Sequence, residues 1–174
     1  YSLLNSMPDG IPLVVGGYKA TEDVDEIFKK CRKVNIIVRG EGEETIAELV
    51  DYLLRNIGER SKIKGIGYRE NNALHLNEPR GLIKDIDTLP FPAYHLLPME
   101  KYRNYAMFED GRRFATAITS RGCPFGCSYC TSATVFGRQW RAMSPKRSVE
   151  LVELLPLVPG LVGAPAAHGV LPSR

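Results

Sequence analysis

An α/β fold is the class that this 174-residue sequence predicts, on three observations. Short continuous apolar runs stand at 11–17 (IPLVVGG) and 34–40 (VNIIVRG). A segment with helical apolar spacing follows each run. The two kinds of segment alternate, which is the strand, helix, strand, helix order of a doubly wound sheet.

The first run ends in Gly16 and Gly17 and has the form of a strand buried on both faces. Thr21 is a candidate N-cap, with Glu22 and Asp23 in the first turn and Ile27 and Phe28 facing inward, so a short helix is expected next. The run 34–40 is the second buried strand. After Gly40-Glu41-Gly42-Glu43 the apolar positions are Ile46, Leu49, Val50, Leu53, Leu54 and Ile57, one face of a helix. Open α/β sheets bind ligands at the carboxyl ends of their strands, and Gly16, Gly17 and the Gly40–Glu43 loop sit there. Tight-turn chemistry is the plainer account of both glycine groups. Residues 63–77 suggest a hairpin around Glu70-Asn71-Asn72, with His75 as a surface or packing residue.

From Arg80 to Arg113 the periodicity stops, and DIDTLPFPAYHLLP carries Pro90, Pro92 and Pro98 among apolar side chains. Proline there disfavours helix and ladder pairing, so an extended strap between domains is expected. RFATAITSR (113–121) is a further strand. Ser144-Pro145 opens a helix to about Leu155, serine as N-cap and proline in the first turn. Residues 154–173 contain no Asp, Glu, Lys or Arg and four prolines, a composition foreign to the rest. An altered reading frame past Glu153 would account for it. Residues 156–174 are read as an atypical, disordered tail.

A composition with 44% hydrophobic and 25% charged residues is globular. The net charge of +3 is interleaved along the chain, so nothing suggests a nucleic-acid face, and the prolines of the tail argue against a membrane helix. The N-terminal residues carry no signal-peptide pattern, and the chain is expected to begin within a longer protein. Clustered rather than dispersed cysteines favour a reducing, cytoplasmic compartment.

Between the last strand and the last helix lies RGCPFGCSYCTSA (121–133), which holds three of the four cysteines. Thiolates spaced C-x3-C-x2-C can converge on one soft metal centre, as in iron–sulfur sites. With only three, a four-iron cluster keeps one iron free of protein sulfur. Structural zinc wants four ligands, and a transfer cluster of the bacterial ferredoxin type wants a fourth cysteine in a different spacing, so a non-catalytic zinc or iron–sulfur module is the alternative. Cys31 is most simply a buried apolar residue.

Cys123, Cys127 and Cys130, set after a strand in RGCPFGCSYC, resemble the signature of the radical S-adenosylmethionine enzymes. The text upstream, VVGGYKA, VRGEGEETIAELVDYL, the hairpin and DIDTLPFPAYHLLP, is similar to the cobalamin-binding domain of one large subgroup. The resemblance covers residues 11 to about 153. It implies the C-terminal half of a Rossmann-like (flavodoxin-like) cobalamin-binding domain in residues 1–79, an inter-domain strap in 80–113, and the first βα unit of a TIM-like barrel in 114–155. It implies that Cys123, Cys127 and Cys130 hold a 4Fe-4S cluster whose free iron takes the amine and carboxylate of S-adenosylmethionine, with Tyr129 beside the adenine. Gly16 and Gly17 would approach the cobalamin nucleotide tail, and Gly40, Glu41, Gly42 and Glu43 its base.

The implied activity is reductive cleavage of S-adenosylmethionine to a 5′-deoxyadenosyl radical, used for methyl transfer to carbon or for a cyclisation of the magnesium-protoporphyrin ester type. A small-molecule substrate and an electron donor such as flavodoxin or ferredoxin are the implied partners. Only 44 residues follow Cys130, against roughly 250 for a full barrel, so the chain is read as an internal fragment, inactive by itself.

Overall fold

The computed structural model describes residues 1–71, 73–102 and 115–155. The chain divides into two compact units, each made from two stretches: Tyr1–Lys84 with Arg121–Arg141, and Asp85–Ser120 with Ala142–Arg174.

The first unit is built on a four-stranded sheet in the order β1 (Leu13–Val15), β2 (Val34–Val38), β3 (Ile66–Glu70), β4 (Ala73–Leu76). β1 and β2 run parallel, while β2–β3 and β3–β4 are antiparallel. The sheet is therefore mixed. The predicted strand–helix alternation holds through β2 and its following helix, but residues 56–65 return through a 3-10 turn at Arg60–Lys62 and bring β3 back alongside β2 in the opposite sense. The predicted hairpin is β3–β4, with Asn71 at φ 49, the left-handed geometry asparagine tolerates. His75 is exposed and stacks on Tyr68, ring centroids 5.4 Å apart.

Both faces of the sheet are covered. On one, α1 (Ser2–Ser6) adds Leu4 while α2 (Tyr18–Glu22) and α3 (Val24–Lys30) bury Ala20, Val24, Ile27, Phe28 and Cys31 against Val34 and Ile37. On the other, α4 (Glu43–Arg55) packs Leu49 against Ile36, Val38, Ile66 and Tyr68. Cys31 is fully buried, as the apolar reading expects.

Four local expectations need correction. β1 is half-buried, because it is an edge strand with a single neighbour. Thr21 does not open a helix: it lies inside α2 and its hydroxyl donates to the Gly17 carbonyl at 2.9 Å, a bond that closes a turn. The buried stripe of α4 is Thr45 and Leu49 with partly buried Tyr52 and Leu53, and Ile46, Val50, Leu54 and Ile57 are exposed. Thr45 draws the helix round, since its hydroxyl donates to the Lys64 carbonyl at 3.1 Å and accepts from Arg80 Nε at 2.8 Å. Of the strand expected over 113–121, residues 113 and 114 lie outside the described residues, and among 115–121 the strand is confined to β5 (Ser120–Arg121), paired with β6 (Arg141–Ala142).

The second unit takes its core from Tyr94, Met99 and Leu151, with Phe91, Ala115 and Met143 packed around them. Its helix α6 (Pro145–Leu154) begins as predicted: Ser144 Oγ accepts from the Arg147 amide at 3.1 Å and Pro145 fills the first position. The proline-rich stretch is not extended. It folds into 3-10 turns at Ile86–Thr88, Tyr94–Leu96 and Met99–Lys101, because proline fits the entry of a tight turn and Pro98 stands at such an entry. Asp87 Oδ1 accepts from the Ser144 amide at 2.9 Å, and the Arg147 guanidinium lies 3.5 Å from the centroid of the Phe91 ring while donating to the Leu89 carbonyl. Asn72, the strap beyond residue 102 and the tail 156–174 lie outside the described residues. Among the described residues no helix is long and apolar enough to cross a membrane.

Candidate cofactor site

The C-terminal ends of β1 and β2 carry the two glycine groups singled out in the sequence. Gly17 and Gly40 both stand at positive φ, 96° and 74°, with open space where a side chain would be. Segment 121–141 belongs to the same unit and lies against these loops. Helix α5 (Ser132–Phe136), directly after the cysteines, packs on α2, directly after Gly17. Thr134 Oγ1 donates to Glu22 Oε1 at 2.9 Å, and the Tyr18 and Phe136 rings meet edge to face at 5.8 Å. The structure thus brings the glycine loops and the cysteine segment into one unit.

The cysteine loop is short and largely solvent-facing. Cys123 is half-buried and its amide donates to the Gly137 carbonyl at 3.3 Å; Cys127 and Cys130 are exposed, with the Cys130 amide bonded to the Cys127 carbonyl at 3.1 Å. All three are free thiols. Tyr129 is 88% exposed. Among the described residues no three His, Cys, Asp or Glu side chains are gathered closely enough to hold an ion, so the thiols share a loop without converging on a point. Their chemistry fits a sulfur-held cluster nonetheless. Three unpaired thiols in eight positions form an all-sulfur donor set, which selects soft centres. Arg138 is a neighbour that the sequence did not single out: a Cβ on Gly126 would stand 3.2 Å from its Nη1.

Glu41 has a definite place. Its side chain is 1% exposed, and its carboxylate accepts from Arg141 Nη1 at 2.9 Å, from Arg121 Nη1 at 3.0 Å and from the Ile83 amide at 2.8 Å. Arg141, also buried, donates further to the Ile83 and Phe136 carbonyls. Arg121 reaches on to Glu43 Oε1 at 2.5 Å and lies over the Phe136 ring. Two of the four residues in the Gly40–Glu43 loop are therefore tied by their carboxylates to the two ends of the cysteine segment. Sequence reasoning passed over Arg121 and Arg141, whose partners stand 80 and 100 positions away.

Burial pushes the Glu41 carboxyl upward, but the hydrogen bonds from Arg141, the Ile83 amide and Arg121 outweigh it and hold the group below its ordinary 4.5. A carboxyl depressed by folding binds more protons unfolded than folded, so its contribution is fully present above the unfolded value and is lost as pH falls through the folded one. Melting curves taken from neutral pH down to about pH 3 are expected to show a steep loss of stability below 4.5, made shallower by Glu41→Gln. Equal acid slopes in the two proteins would contradict this assignment.

No protein-family model matches the chain. It is similar to an uncharacterized methyltransferase of Pyrococcus horikoshii, 38% identical over 153 residues that make up 88% of this chain and 32% of that protein. It is 33% identical, over 82% of its own length and 23% of the other's, to the anaerobic magnesium-protoporphyrin IX monomethyl ester cyclase of Cereibacter sphaeroides. The chain thus spans about a third or less of the curated relatives it matches. Among solved structures, its fold is shared with the radical S-adenosylmethionine methyltransferase TsrM from Kitasatospora setae, solved with cobalamin and a [4Fe-4S] cluster bound. The TM-score is 0.58 at 17% identity, covering 85% of this chain and 29% of that one.

Proposed function

Since this chain belongs to the family of cobalamin-binding-domain-containing radical S-adenosylmethionine enzymes, we propose that it is the part of such an enzyme in which the cluster loop meets the cobalamin-facing loops. The observation that carries this reading is that the segment bearing the three thiols is held, within one unit, on the elements at the carboxyl ends of β1 and β2, by α5 against α2 and by Arg121 and Arg141 on Glu41. Methyl transfer to carbon is the reaction we assign to the whole enzyme, supported by the methyltransferase from Pyrococcus horikoshii. Similarity to the magnesium-protoporphyrin ester cyclase favours oxidative cyclisation as the second reading.

Cys123, Cys127 and Cys130 would hold a 4Fe-4S cluster as thiolates, leaving one of its irons for the amino-acid end of S-adenosylmethionine. A cluster held by these thiolates would supply the one-electron reduction that cleaves the sulfonium. Tyr129, exposed in the same loop, offers a ring face for the adenine. The main chain of Gly17 and Gly40 can be approached closely by a cobalamin because open space stands where a side chain would be, whereas Gly16 and Gly42 meet Val38 there. The Glu41 carboxylate is not available to that ligand, being bonded within the chain; its part is to keep the loop in shape. A flavodoxin or ferredoxin is the electron donor we assign.

Anaerobic reconstitution of the chain with iron and sulfide is expected to give about four irons per chain. Cys127→Ala is expected to lose nearly all of it. The electron paramagnetic resonance spectrum of the reduced cluster should change when S-adenosylmethionine is added. Tight zinc uptake in place of a cluster, or a spectrum indifferent to S-adenosylmethionine, would favour a non-catalytic metal module instead.

A further inference from the structure

We propose that Glu41 is a positioning residue that fixes the cysteine loop on the Gly40–Glu43 loop, so that the two cofactor-facing loops hold one mutual arrangement. Among the described residues, Glu41 and Arg141 are the buried side chains that carry a charge. A buried ion pair is a poor source of net stability, because the attraction between the charges is offset by the loss of their hydration, and apolar side chains of similar volume hold a core equally well. What such a pair supplies is direction. Two guanidinium donors and one amide converge on a single carboxylate, each within 3.1 Å, and leave it one arrangement that satisfies all three.

The ends so fixed are informative. Arg121 lies two positions before Cys123, and Arg141 closes the segment after α5. Both grips land on the loop after β2, one at Glu41 alone and the other at Glu41 and Glu43 together. Between the grips, the cysteine loop makes few bonds of its own: Cys127 and Cys130 are exposed, and the amide of Cys123 leans on Gly137. The clamp therefore acts on the cysteine loop through its two ends.

The inference rests on the reading of the three cysteines as cluster ligands, and its test has one arm that does not. In the metal-free chain Cys123 is half-buried, and its alkylation by iodoacetamide is expected to quicken by roughly tenfold in Glu41→Gln as the undocked loop becomes more populated. Cys127, already exposed, should react at an unchanged rate. After reconstitution, Glu41→Gln is expected to carry iron near the unmodified level, yet to need roughly tenfold more S-adenosylmethionine for the same spectral change. Glu41→Asp, which keeps the charge, should recover part of the response. Should Glu41→Gln fail to fold, Arg121→Gln decides the matter, since it leaves the Glu41–Arg141 pair in place. Unchanged Cys123 reactivity and an unchanged S-adenosylmethionine response in a folded variant would overturn the proposal. If the unmodified chain takes up no cluster, the functional reading fails while the alkylation arm still tests the clamp.

Discussion

Gly122→Ala is expected to release the cysteine segment from the first unit while leaving the four-stranded sheet folded. Gly122 stands at φ +81, where an L side chain costs about 1–2 kcal/mol. The larger obstacle is space. A Cβ there would lie 2.0 Å from the Gln139 carbonyl oxygen and 2.8 Å from its carbon, both backbone atoms that cannot rotate aside. Accommodating the methyl in place would demand a main-chain shift with a cost in the tail of single substitutions, above about 4 kcal/mol. Undocking residues 121–141 is the cheaper response, because the two core clusters on the sheet are built wholly from residues before 85. Hydrogen exchange should show protection lost across 121–141 and kept in β2 and β3, and iron uptake on reconstitution should fall by about tenfold or more. Native protection throughout the segment would mean that the close approach of Gly122 to Gln139 is not needed.

Arg141→Met is expected to lower the unfolding free energy by about 3–5 kcal/mol, the usual effect of removing one member of a buried ion pair. The side chain is 6% exposed and fills four hydrogen bonds, two to Glu41 and one each to the Ile83 and Phe136 carbonyls. Methionine can match much of its volume but none of its donors. Glu41 would be left with Arg121 and the Ile83 amide, an incomplete shell for a desolvated carboxylate. Urea denaturation measures the loss. Pairing Arg141→Met with Glu41→Leu should recover much of it, since the double variant buries no uncompensated charge; a strictly additive double variant would count against the network.

The parts of the fold legible from the sequence were those settled within a few residues. Glycine-ended apolar runs marked β1 and β2, an Asn-Asn turn marked the β3–β4 hairpin, and Ser144-Pro145 marked the start of α6. What escaped was set by distant partners. The antiparallel return of β3 depends on residues 56–65, which follow α4 and turn through Arg60–Lys62 before β3 begins, a path that no apolar period announces. The rotation of α4 follows from Thr45 bonding to Lys64 and Arg80, a polar contact that outweighs the apolar stripe through Ile46 and Val50. At the site, the cysteine spacing was plain because the ligands are neighbours in sequence, and tight-turn glycines are likewise a local signal. Glu41 read as one member of a turn until Arg121 and Arg141 were seen to meet it. An arginine directly before the cysteine motif was the one available hint.

That distance in sequence bears on how the molecule is made. Glu41 leaves the ribosome about 80 residues ahead of Arg121 and 100 ahead of Arg141, and long-range closures of this kind come late in folding. The sheet can assemble on a nascent chain well before the thiols have emerged. Any inorganic centre carried by the loop must then be inserted after synthesis of the segment is finished, into a scaffold already standing, which makes maturation a separate step from folding.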